Sequence, residues 1–351
     1  MEQEKKQSAT PLLNISPRAW EHPADRAALT ALQSVPGIND VVRFFVGFTG
    51  EASLRLLFLS SAVRVSPTQF PRVQKLVDRA CDILDVLPVP EVYVTQNPML
   101  NAGAVGVDKP FITLNSALVQ TMDDDELLAV IAHELGHIAS GHVLYKTLLW
   151  LLVNASSILL NIPIGQAALM AIVVALREWD RKSELSADRA GVLVTQNPQV
   201  NYRVLMKLAG GSDIGQMNMD DFFQQAADYD QADGTMINSL HKVLNLLGQT
   251  HPFPVIRLTE LKTWVEGGSY QAILKGDYEK RSEGRQSGPK GPDFTAWTQD
   301  FQRAQQEYRD ELKRSKDPLA QALSTAGENL EKSFDQAKKA AEEALGKFFH
   351  K

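Results

Sequence analysis

Apolar residues recur at intervals of three and four between Pro67 and Leu87, where Phe70, Val73, Leu76, Val77, Ala80, Ile83 and Leu84 share one face of a helix. The same spacing predicts helices over Pro23 to Gln33, Ala168 to Gln196, Gln199 to Ala209, Met219 to Ala226 and Pro254 to Val265. Two short runs break this rhythm. Glu91 to Thr95 and Phe111 to Leu114 are β-branched and aromatic and are bounded by Pro, Asn and Gly, so they predict strands, with Asn101 to Gly106 between them. A small antiparallel sheet is the economical arrangement. After the acidic Asp123-Asp124-Asp125-Glu126, which suits a helix N-terminus, a helical pattern runs from Leu127 past His142.

Thr147 to Leu176 carries no charge, but Asn161-Ile162-Pro163-Ile164-Gly165 splits it into two arms. At about fifteen and thirteen residues, each arm is short of the roughly 20 needed to cross a bilayer. A helical hairpin is expected, either buried or self-associating, with a shallow membrane contact at its tip as the alternative. Residues 281–293 combine Gly, Pro and charge and read as linker. Beyond them Leu330, Phe334, Ala337, Ala341, Leu345 and Phe348 line one face of an amphipathic helix. The expected organisation is a polar tail over 1–20, a domain over 21–276 containing the hairpin 147–176, a linker over 277–297, and a helical extension over 298–351.

The chain has 351 residues, enough for a substantial core, and its 36 Lys and Arg against 42 Asp and Glu leave a net charge of -6. That balance lacks the basic excess that phosphate neutralisation demands, so nucleic acid is excluded as a partner. The single cysteine, Cys81, sits on an apolar helix face, and the N-terminal segment lacks the apolar core of a secretion signal. A cytoplasmic protein is expected, with peripheral membrane contact as the variant of that reading.

His133-Glu134-Leu135-Gly136-His137 is the most informative segment. Positions i and i+4 of a helix lie one turn apart on one face, so both imidazoles can bind one Zn²⁺ while Glu134 stands beside the water that such a metal activates. Chance produces this pattern in roughly one percent of chains of this length and histidine content. The flanks Val130-Ile131-Ala132 and Ile138-Ala139 predict burial, where two His and a Glu without a metal would cost several kcal/mol of desolvation. His142 lies five residues past His137, off the ligand face, and reads as structural. Downstream, Glu184 and Asp188 again stand at i and i+4 on a predicted helix. Glu184 can supply a third ligand, and Asp188 can accept the outward ring N–H of a metal-bound His.

Together with Asn101-Ala102-Gly103-Ala104-Val105-Gly106 upstream and Thr250-His251-Pro252 to Arg257-Leu258 downstream, these segments resemble the gluzincin metallopeptidases of the HtpX and CAAX-prenyl-endopeptidase family, metallopeptidase family forty-eight. The resemblance spans roughly residues 20 to 265. It implies a mainly helical α+β domain with a small sheet at the cleft, one Zn²⁺ held by His133, His137 and Glu184, and Glu134 as general base. It also implies that Asn101, Ala102, Gly103, Ala104 and Val105 form an edge strand along which an extended peptide lies. Attack on a peptide carbonyl builds negative charge on oxygen, and His251 is the candidate donor to it, with Arg257 as an anchor or second donor.

The expected activity is a zinc-dependent endopeptidase acting on proteins or peptides. The competing reading from another class is a zinc-stabilised, non-catalytic adaptor or chaperone that holds partners on its apolar helices. Glu134 argues against it, since a structural zinc site has no use for that residue.

Overall fold

A computed structural model describes residues 9–33, 38, 42, 55–107, 109–154, 166–230 and 254–281. Helices dominate: α1 (Pro23–Gln33), α2 (Pro71–Leu84), α3 (Ser116–Thr121), α4 (Asp124–Ala139), α5 (Val143–Asn154), α6 (Gln166–Thr195), α7 (Pro198–Gly210), α8 (Met219–Asp230), α9 (Pro254–Glu266) and α10 (Ser269–Leu274). Four short strands, β1 (Val63–Arg64), β2 (Val92–Thr95), β3 (Ala102–Val105) and β4 (Phe111–Asn115), form one sheet in the order β1-β2-β4-β3.

The sheet is mixed rather than antiparallel. β3 and β4 pair as an antiparallel hairpin, but β4 inserts between β3 and β2 and runs parallel to β2, with Val92 opposite Ile112. Strand-length apolar runs state that a segment is extended, not which neighbour it will choose. The order leaves β3 at an edge, against α4 and α5.

Helix α4 starts on a reciprocal capping box. Asp123 Oδ1 accepts the Glu126 N–H at 2.8 Å and Glu126 Oε2 accepts the Asp123 N–H at 3.0 Å. Its apolar residues face every direction, and Leu127 to His137 are all buried, as a helix without a polar face requires. Each fully buried Leu or Ile contributes about 1.5–3 kcal/mol relative to exposure.

The expected run of this helix past His142 does not occur. It stops at Ala139, Gly141 takes a left-handed φ of 72°, and α5 departs at 100° to α4. Only glycine adopts that backbone without strain.

The largest core cluster joins α2, the sheet, α4, the second half of α6, α7 and α9. A second one, with Leu32, Leu148, Leu152, Ile172, Leu176 and Trp179, joins α1, α5 and the first half of α6. The arms of the expected hairpin are therefore α5 and the start of α6, packed against α1, while Trp150, Val153 and Val174 face outward. The hairpin's turn lies outside the described residues, as do the extension 298–351 and all of the linker past 281. No single helix among the described residues is long and apolar enough to cross a membrane.

The stretch expected as a polar tail is packed from residue 9 onward. Leu12, Ile15 and Trp20 are each 1% exposed in the main core, and their irregular spacing carried no helical or strand period to announce them. Residues at the start of the assigned linker strap this segment down: Ser16 N–H donates to Glu279 O at 2.9 Å, and Arg281 N–H donates to Asn14 O at 2.7 Å.

α4 and α6 cross closely because small residues meet there. A Cβ on Gly136 would lie 2.7 Å from Ala190 Cβ and 3.3 Å from Ala187 Cα. Neither atom belongs to a flexible side chain. Gly136→Ala is therefore expected to force the two helices apart at a cost of about 1–3 kcal/mol. Urea unfolding with chelator present checks this, and an unchanged midpoint would contradict the close approach.

Candidate metal centre

α4 and α6 bring the predicted ligands together from opposite sides. His133 and His137, one turn apart on α4, point at Glu184 of α6, and their ligand atoms all lie within 4.8 Å of one another. His133 Nε2 is 3.3 Å from Glu184 Oε2, and His137 Nε2 is 3.2 Å from Glu184 Oε1. The second approach is close, yet His137 Nε2 has no hydrogen-bond partner in acceptable geometry. With that nitrogen unbonded and all three ligand atoms so close together, the group is arranged as the ligands of one cation would be. His137 and Glu184 are fully buried. Two imidazoles and one carboxylate make a donor set that fits a catalytic metal.

Glu134 lies beside this group with 1% of its surface exposed, and its Oε2 is buried without a hydrogen-bond partner. A buried acceptor left unbonded is costly in a purely structural role. It lines a cleft of about 730 Å³ together with His133, Asp188, Arg257, Asn101 and Ala102. The start of β3 and the ligand face of α4 therefore open onto one space. Gly103, Ala104 and Val105 continue along the same edge strand, hydrogen-bonded on their inner side to β4.

Asp188 accepts from His133 Nδ1 at 3.0 Å and receives a forked contact from Arg257 of α9, Nε to Oδ2 at 2.8 Å and Nη2 to Oδ1 at 2.6 Å. Arg257 Nη1 reaches Glu184 Oε2 at 3.2 Å. All three arms of the guanidinium are thus engaged in holding carboxylates, so Arg257 stands as an anchor rather than a free donor. Burial pushes the Asp188 carboxyl up, but Arg257 and His133 together outweigh it and hold the group below the usual carboxylate range. Burial opposes charge on His133 too, and Glu184 and Asp188 overcome it, raising that imidazole to about 9. His137 goes the other way: burial and then the Lys146 charge keep it well below the usual histidine value.

Two groups were not foreseen. Lys146 of α5 donates to Glu184 Oε1 at 2.8 Å and to Asp180 Oδ1 at 2.6 Å. Four residues before it, His142 lies against His137, with the two Nδ1 atoms 3.0 Å apart, and its Nε2 is 3.1 Å from Asp25 Oδ2 of α1. The expectation that His142 faces away assumed one continuous helix; the turn at Gly141 removes that premise. Lys146 was readable only as the last charge before a long uncharged stretch. His251, the candidate oxyanion donor, lies outside the described residues.

Residues 67–265 match the family model described as Peptidase family M48. The chain is 33% identical over 261 residues to the plastoglobule-localized metallopeptidase 48, chloroplastic, of Arabidopsis thaliana, covering 73% of this chain and 75% of that protein. It is 27% identical over 197 residues to a protease HtpX homolog of Tropheryma whipplei, 49% of this chain and 66% of the relative. With protease HtpX of Yersinia enterocolitica it shares 33% identity over 124 residues, 35% and 38% of the two chains. No solved structure matches the chain.

Proposed function

This chain belongs to peptidase family M48, and from that membership we infer that it is a zinc-dependent endopeptidase using Glu134 as its general base. The family makes it a metal-dependent hydrolase of proteins or peptides. The finer reading rests on one observation: His133, His137 and Glu184 converge beside a buried, unbonded Glu134 oxygen. The soft-to-borderline nitrogen pair with a single carboxylate favours Zn²⁺ over Mg²⁺ or Ca²⁺, which demand oxygen shells.

When bound, zinc would polarise the scissile carbonyl and acidify the attacking water. The chain's own residues do the rest. Glu134 takes the water proton on Oε2 and passes it to the departing amine, a transfer that needs the carboxylate within reach of both. Asp188 holds His133 by its outward nitrogen, and Arg257 holds Asp188. An extended peptide would add alongside the edge strand β3, along Asn101 to Val105, since main-chain pairing presents one carbonyl without selecting side chains. His251 is retained in this proposal as the donor to the developing oxyanion.

The domain limits read from the sequence, and a cytoplasmic placement with apolar contact through 147–176 or the C-terminal helix, belong to the same proposal. The outward Trp150, Val153 and Val174 support an apolar contact surface on those arms. The test is hydrolysis of a panel of unfolded proteins before and after chelation. Activity should vanish with the metal and return with stoichiometric zinc. Undiminished cleavage by the chelated chain would overturn the reading.

A further inference from the structure

We propose that α1 is part of the metal centre: Asp25, acting through His142, fixes the His137 ring in the tautomer that turns its Nε2 lone pair toward the metal. This rests on His137 being a ligand, as argued above. His137 Nδ1 and His142 Nδ1 are 3.0 Å apart, a contact that needs one N–H and one lone pair. On its far side His142 Nε2 meets Asp25 Oδ2 at 3.1 Å. A carboxylate only accepts, so a neutral His142, the form in which the proposal takes it, carries its one hydrogen on Nε2 and offers a bare Nδ1. His137 must then donate from Nδ1, which leaves Nε2 bare. That is the atom 3.2 Å from Glu184 Oε1 and without a hydrogen-bond partner.

The surroundings keep the sequence of donors from reversing. Asp25 Oδ1 accepts from Trp179 Nε1 at 3.1 Å, and an indole can only donate. Asp25 Oδ2 also accepts from Ser186 Oγ at 2.5 Å. Asp25, His142 and His137 are each at most 1% exposed, so solvent does not stand in for any of them. His133 receives the same service directly from Asp188. For His137 it comes from residue 25, outside the span that matches the family model. Asp25 and His142 are thus positioning residues, and they account for a buried carboxylate and a buried imidazole that hydrolysis itself does not use.

In Asp25→Asn the indole still demands the amide oxygen, so the amide nitrogen faces His142. His142 would then accept on Nε2 and turn Nδ1–H toward His137, pushing the His137 hydrogen onto the ligand nitrogen. Zinc affinity of the full chain, measured by chelator competition, is expected to fall about 10–100-fold. Ser186→Ala removes one donor to Asp25 but leaves the carboxylate accepting from Trp179 and His142, and its affinity should stay near that of the wild type. Wild-type affinity in folded Asp25→Asn, or an equal loss in Ser186→Ala, would overturn the proposal. Long-range proton–nitrogen spectra of the histidine rings in zinc-free wild-type chain need neither a variant nor a metal. They should show His142 protonated on Nε2 alone and His137 on Nδ1, and the reverse pair, or a His142 ring protonated on both nitrogens, overturns the proposal. These tautomers in a chain that takes up no zinc would sink the metal reading of the site and leave the tautomer assignment standing.

Discussion

Glu134→Gln is expected to retain zinc and to hydrolyse peptides about 10²–10⁴-fold more slowly, the range a positioned general base contributes. The substitution is close to isosteric and removes proton affinity without removing volume. Glu134 makes no contact that anchors α4: its Oε2 has no hydrogen-bond partner, while the helix is fixed by its cap at Asp123 and by its packing on α6. Folding and metal binding should therefore survive. Initial rates on unfolded-protein substrates, with metal content measured on the same samples, check this. A variant that cleaves at the wild-type rate would mean that the proton goes to another group.

Arg257→Ala is expected to cost about 3–5 kcal/mol of folding stability, the range for removing one partner of a buried ion pair. Arg257 is 5% exposed and faces two buried carboxylates, Asp188 through a fork and Glu184 through its remaining nitrogen. Alanine leaves both with less compensation. The pH dependence follows from the depressed Asp188 carboxyl. A carboxyl whose folded value is lowered contributes stability above its unfolded value and loses it as pH falls through the folded one. The wild type has that contribution at neutral pH and the variant lacks it. The gap between them should be widest near pH 7 and shrink as acid protonates Asp188 in the wild type. Urea unfolding of metal-free protein across pH measures it; a gap under about 1 kcal/mol would mean that the pair is not the anchor described.

The chemistry was legible in the sequence because it is local. His133, Glu134 and His137 stand within five residues, Glu184 and Asp188 within another five, and helical spacing alone puts His133 with His137, and Glu184 with Asp188, on one face. The α4 start was equally readable, since Asp123 and Glu126 occupy the two positions of a capping box. What escaped depends on tertiary choice. Gly141 could have been a tolerated glycine within a helix or a left-handed stop, and only the second brings His142 and Lys146 back against His137 and Glu184. Asp25 lies more than a hundred residues from His137 and carries no motif. Parallel pairing of β2 with β4 was hidden for the same reason: each run is only four or five residues long, and partner choice is decided by what covers the sheet.

The separate jobs of the two carboxylates are the centre of this account, and zinc per folded chain tests them most directly. Elemental analysis after gel filtration should find one zinc in the wild type, nearly as much in Glu134→Gln, and little in Glu184→Ala, which loses a buried ligand. Zinc retained in full by Glu184→Ala, or lost equally from both variants, would contradict it.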